Sequence, residues 1–123
     1  RDNGLPVVGA GQAVRMDTDC ALDDQVWLAP APGHTAGHVA VNIAFQSQNA
    51  VMTGDLMHNP IQLAHPEWSP KFDYDGVRSA ETRKSFLDNH CETDTVVLTA
   101  HFPSPSIGHV VAHPDRPFDF TYL

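Results

Sequence analysis

Residues 32–44 read Pro32-Gly33-His34-Thr35-Ala36-Gly37-His38-Val39-Ala40-Val41-Asn42-Ile43-Ala44, a histidine-bearing turn that runs straight into a strand. Val39, Val41 and Ile43 alternate with Ala40, Asn42 and Ala44, the period of two expected of a strand with one buried face. His34 and His38 are spaced i, i+4, as in the zinc-binding helix H-E-x-x-H. Gly33 and Gly37 spoil a helix here and the Glu is missing, so that reading fails. The turn is instead a loop at a strand tip.

The same design recurs twice. Ala50 to Thr53 reads as a short strand stopped by Gly54-Asp55, and Thr95 to Ala100 is a β-branched run, too short for a helix, that ends at His101. Val14-Arg15-Met16 and Val26-Trp27-Leu28 are further short strands around the turn-rich stretch from Asp17 to Asp24. Val110-Val111 and Phe118 to Tyr122 are expected at an edge. Asp75 to Asn89 reads as the main helix, with Asp73 or Asp75 as its cap and with Val77, Ala80, Lys84 and Leu87 on one face. The order is β-β-β-β-α-β-β, a layered α/β or α+β arrangement.

Composition narrows the class. The 123 residues, 41% hydrophobic, suffice for one core and not for two. The net charge of −8 lacks the basic stripe that phosphate contacts need, so nucleic acid is not an expected partner. No apolar run approaches the roughly 20 residues of a membrane span; the best, Val39 to Phe45, is broken by Asn42. Cys20 and Cys91 form no C-x-x-C pair, and with no signal peptide in evidence a reducing, cytoplasmic setting is expected. A chain opening on Arg1 is expected to have lost its true beginning. Eight His outnumber the seven Lys and Arg together, and His is a metal ligand and proton carrier.

Three apolar strands thus end in His34, Asp55 and His101. Any one alone is as readily an ordinary loop residue; the repetition at three strand tips points to a metal site. Imidazole and carboxylate suit zinc or a neighbouring transition metal, and a carboxylate can bridge two ions. Gly9-Ala10-Gly11 is too short for a dinucleotide loop. Ser104 and Ser106 lie near His101 without a nucleophile elbow, and Pro103 and Pro105 are read as shaping a loop wall.

The motifs Ala-Pro-Gly-His34-Thr-Ala-Gly-His, Thr-Gly-Asp55-Leu-Met-His58 and Ala-His101-Phe-Pro resemble the C-terminal motifs of the metallo-β-lactamase-fold hydrolases. With Asn59-Pro-Ile-Gln62, Pro66-Glu67-Trp68, Phe72-Asp73-Tyr-Asp75 and His101-Phe-Pro-Ser-Pro, the chain is similar to the branch of acyl-homoserine-lactone lactonases and methyl parathion hydrolase, from about Val26 onward. The resemblance implies an α/β (α+β) fold: the C-terminal half of an αββα sandwich, a mixed sheet with one main helix, with residues 1–123 as a single partial domain. It implies His34, Asp55 and His101 as metal ligands, Asp55 bridging, and a zinc pair in the complete site. His38 would steady the turn or stand behind the ligands. His58 is expected, with Asp55, to serve catalysis by orienting Asp55 or touching substrate. Trp68 and Phe102 are read as pocket walls or core. His65, His90, His109 and His113 match no ligand position.

The family's H-x-H-x-D-H motif, which supplies about half of the ligands, does not occur. In the complete family site a metal-bound hydroxide attacks an ester, lactone or phosphotriester. Here a truncated hydrolase fragment is expected, inactive alone and binding zinc at most weakly. The alternatives are a non-catalytic metal-binding or assembly module, and a complete small metalloprotein using His38 or His58 as replacement ligands. One helix cannot cover both faces of a sheet whose Val51, Val96 and Leu98 read as buried on both sides, so a homodimer is expected.

Overall fold

The computed structural model describes residues 4–123. A short exposed helix, α1 (Gly4–Gly9), precedes β1 (Cys20–Ala21), β2 (Val26–Pro30), β3 (Val39–Phe45) and β4 (Gln48–Met52). After a 3-10 turn at Gly54–Leu56 come α2 (Ile61–Ala64), α3 (Gly76–His90), β5 (Val96–Leu98), β6 (Ile107–His113) and β7 (Arg116–Tyr122). The strands form one seven-stranded sheet in sequence order, antiparallel except for the parallel pair β4–β5. The two helices between β4 and β5 make the crossover that a parallel pair requires. No helix among the described residues is long and apolar enough to cross a membrane.

Pairing register sorts the side chains onto two very different faces. Ala40, Val51, Val97, Val110, Phe118 and Phe120 share the face toward α2 and α3, and all are buried with Leu56, Met57, Leu63, Leu87 and Phe102. The opposite face carries an unbroken cross-strand row, Leu28, Val41, Met52, Leu98 and Ile107, beside a second row, Val26, Ile43, Ala50 and Val96. None of these nine is fully buried, and Met52 is 46% exposed. Val96 and Leu98 therefore lie on an open face, and Val51 on the covered one, rather than in strands buried on both sides. Nothing among the described residues covers the open face.

Two other expectations are corrected, and the choice of cap for α3 is settled. Val14-Arg15-Met16 is irregular, with Val14 84% exposed, because β1 at Cys20–Ala21 takes the edge position beside β2. Asp75 alone caps α3, accepting from the Arg78 N–H at 2.9 Å. The inward face of α3 is Ser79, Arg83 and Leu87, not Val77, Ala80 and Lys84 with Leu87. Val77 is 73% exposed, and Lys84 pairs with Asp88 in solvent at 2.6 Å. A charged residue at the centre of the buried face defeats hydrophobic periodicity.

Candidate metal centre

Strand parity brings the three tips together. β2 and β4 flank β3 antiparallel and so run in one direction, and β5 is parallel to β4. The loops after β2, β4 and β5 leave the same sheet edge, carrying His34, Asp55 and His101. The two carboxylate oxygens of Asp55 face different imidazoles. Oδ1 lies 2.7 Å from His101 Nε2, and Oδ2 lies 3.4 Å from His34 Nε2.

Two glycines make this approach possible. Gly33 has φ +136°, and a Cβ there would lie 2.3 Å from backbone atoms of Ser79, so the loop rests directly on the first turn of α3. Gly54 has φ +52°, and its Cβ would meet His38 Nε2 at 2.8 Å. His38 fills that space with both nitrogens engaged: Nδ1–H donates to the Ala31 carbonyl at 3.0 Å, and Nε2 accepts from the Asp55 N–H at 2.9 Å. It joins the loops that carry His34 and Asp55 and has no lone pair left for a metal.

His58 lies in the middle, stacked on His101 with centroids 4.8 Å apart and 5.1 Å from the His34 ring, with Phe72 at its edge. Its backbone N–H donates to buried Gln62 Oε1 at 2.7 Å, and Gln62 Nε2 donates to the Trp68 carbonyl at 2.8 Å. Burial pushes the His58 pKa down, assisted by the charges of His101 and His34. The His101 hydrogen bond holds Asp55 below the usual carboxylate range against a partial desolvation penalty, with His34 adding to the lowering. Trp68 is half exposed and stacks on His65, whereas Phe102 is core. His90 and His109 bond to backbone carbonyls, as packing residues do.

Two residues that sequence reasoning did not place at the site complete its inner side. Asp73, its side chain fully buried, accepts from His34 Nδ1 at 2.9 Å. Arg83, also fully buried, donates to the carbonyls of Leu56 (3.0 Å), Pro66 (2.6 Å) and Trp68 (2.9 Å) and to Ser79 Oγ (3.0 Å). Asp73 does stand in the family-like string 72–75, which was the available signal; Arg83 had none.

The donor set suits a borderline transition metal. Asp55, His58 and His101 offer ligand atoms within 4.8 Å of one another, as do His34, His58 and Asp73. His58 Nδ1 is buried without a hydrogen-bond partner, as befits a nitrogen beside an ion site.

No family model and no curated protein matches the sequence. Solved structures do. A dizinc quorum-quenching lactonase, AidC, in complex with a product, matches with a TM-score of 0.79 and 27% identity over 88% of this chain and 37% of its own. AbOPH, a hydrolase of the β-lactamase superfamily, matches with a TM-score of 0.82 and 21% identity over 96% of this chain and 40% of its own. An N-acyl homoserine lactone hydrolase with N-hexanoyl-L-homoserine at its catalytic metal centre matches at 0.57 and 16% identity, over 73% and 36%. The chain has the fold of part of the metallo-β-lactamase domain and resembles its lactonase-like hydrolases. It spans about two-fifths of the length of AbOPH and slightly less of AidC.

Proposed function

We propose that this chain supplies one side of a dinuclear, zinc-type hydrolase centre acting on a small ester, lactone or phosphotriester. The carrying observation is the Asp55 carboxylate with one oxygen turned to His34 and the other to His101. In this reading His34 and Asp55 would hold one ion, Asp55 and His101 the other, and the remaining donors would come from an H-x-H-x-D-H segment outside this sequence. A bound metal pair supplies Lewis acidity and an activated water. Asp55 would be the carboxylate shared by both ions. His58, kept neutral by burial, forms a wall beside the open side where Asp55 and His101 meet solvent. His38 anchors the Asp55 backbone.

The test is zinc calorimetry on the chain and on His101→Ala, with turnover assays on an acyl-homoserine lactone, an aryl ester and an aryl phosphotriester. Weak binding abolished by the substitution, negligible turnover alone, and chelator-sensitive turnover after fusion to an H-x-H-x-D-H-bearing half are expected. Tight binding that survives His101→Ala overturns the ligand assignment, and strong turnover by the unfused chain overturns its partial nature.

The open apolar face favours a second role, in assembly. Its two apolar rows, Leu28 to Ile107 and Val26 to Val96, suit a homodimer in which each copy covers the other. Light scattering at micromolar concentration should give twice 13.4 kDa; a stable monomer rejects the dimer.

A further inference from the structure

Asp73 does no capping, because Asp75 caps α3, and its carboxylate is withdrawn completely from water. A buried carboxylate is costly unless it is paired and hydrogen-bonded. The surrounding chain is arranged to place it under one ring. Tyr74 N–H donates to the His34 carbonyl at 3.1 Å and Asp75 N–H to the Gly33 carbonyl at 2.9 Å, fastening segment 73–75 alongside loop 33–34. Thr82 Oγ1 adds a bond to the Pro32 carbonyl at 2.7 Å. Asp73 Oδ1 takes the His34 Nδ1–H; Oδ2 makes no hydrogen bond and faces the Arg83 guanidinium at 3.9 Å, a pairing by charge alone.

The geometry points to Asp73, braced by Arg83, as a positioning residue that fixes His34 in its Nδ1–H tautomer. That leaves Nε2 unprotonated on the side of Asp55, whose Oδ2 lies 3.4 Å away, and the His34 side becomes the tighter of the two metal positions. His101 has no equivalent: its hydrogen bond is through Nε2 to Asp55, its ring stacks on His58, and 45% of its side chain is exposed. A ligand histidine whose other nitrogen is held by a carboxylate is more basic and already oriented, and loss of such a partner typically weakens metal binding by about 10–100-fold. The metal arm of the test rests on the metal-centre reading; the tautomer arm does not.

Long-range ¹H–¹⁵N correlation of the imidazoles in the metal-free chain at pH 9 reads the tautomer directly. His34 is expected as Nδ1–H in the wild type, and Asp73→Asn, which keeps the shape and drops the charge, should raise the Nε2–H fraction severalfold. Cobalt titration should show a tenfold or greater loss of affinity in Asp73→Asn but less than a twofold further loss when that change is made in His34→Ala. A merely structural Asp73 would weaken binding equally in both backgrounds. A wild-type His34 found as Nε2–H overturns the proposal without any variant having to fold. An Asp73→Asn protein with unchanged tautomer and affinity within twofold overturns it too. If the tautomer holds but cobalt does not bind, the metal reading fails and the positioning stands.

Discussion

The His34 and His101 limbs of the centre reach the same carboxylate by opposite means. His34 sits in a loop pressed on α3, 19% exposed, with Asp73 and Arg83 behind it. His101 hangs from the end of β5, 45% exposed, steadied by a stacked ring and one hydrogen bond. One limb is built by long-range contacts from residues 73 to 83, the other by its strand. Two histidines facing one carboxylate can thus rest on unequal supports, so stability should respond unequally to substitution on the two sides.

The largest expected effect is on the buried side. Arg83→Leu strands the carbonyls of Leu56, Pro66 and Trp68 and leaves Asp73 a buried charge without its counterion. The cost should be about 3–5 kcal/mol, the range for breaking a buried pair, and urea unfolding should show a chain that is largely unfolded. A loss below about 1 kcal/mol would mean that the helix side does not hold the loops.

Gly33→Ala comes next. The added methyl meets the Ser79 backbone at 2.3 Å and the φ of +136° is itself strained, whereas Gly37→Ala meets nothing within 4 Å. We expect a loss of about 2–3 kcal/mol at Gly33 and, at Gly37, no loss or a gain of about 0.5 kcal/mol. Equal melting temperatures would break the claim that loop 32–34 is seated on α3.

A sharper contrast sets His34→Ala against His101→Ala in the metal-free chain. Removing His34 orphans the buried Asp73 oxygen and should cost about 1–3 kcal/mol. Removing half-exposed His101 should cost no more than about 0.5 kcal/mol. Thermal melts of the two variants decide it, and reversal of the order would invert the comparison.

The smallest effect is a pH slope. Burial lowers the folded-state pKa of His58 below its ordinary 6.5, so the unfolded chain takes up the proton first as pH falls. Its contribution to stability is complete above about pH 6.5 and is lost as pH drops through the lowered folded value. Asp55, also lowered, contributes above about pH 4 and loses that contribution only in stronger acid. His58→Gln should flatten the melting-temperature slope between pH 7 and 5 and leave the acid limb below pH 4. An unchanged slope would remove His58 as its source.

Much of this was legible locally. The alternation of Val39, Val41 and Ile43 marks β3, although the structure turns these three to the open face and Ala40 to the covered one. The Thr95 to Ala100 run and the Gly54-Asp55 stop are likewise signals carried within a few residues. They place His34, Asp55 and His101 at strand tips before any long-range pairing is known. The strand 107–113 showed only Val110-Val111, since His109 and His113 interrupt it, and its partner 116–122 was read only from Phe118, after Pro117.

The sequence by itself determined the strand tips, the glycines that free their backbones and the kind of donor each tip carries, because those follow from period-two patterning and residue chemistry. Only the tertiary structure decided which face of α3 turns inward, that Arg83 is the residue at its centre, that Asp73 serves His34 while Asp75 serves the helix, and that His38 spends both nitrogens on backbone. The reason is physical. A buried polar group is stable only through partners, and the partners of Arg83 lie 15 to 27 positions away for its carbonyls, those of Asp73 39 positions from His34. Hydrophobic patterning records which side chains avoid water; it carries no record of which distant carbonyl or imidazole will satisfy a charge that must also avoid it.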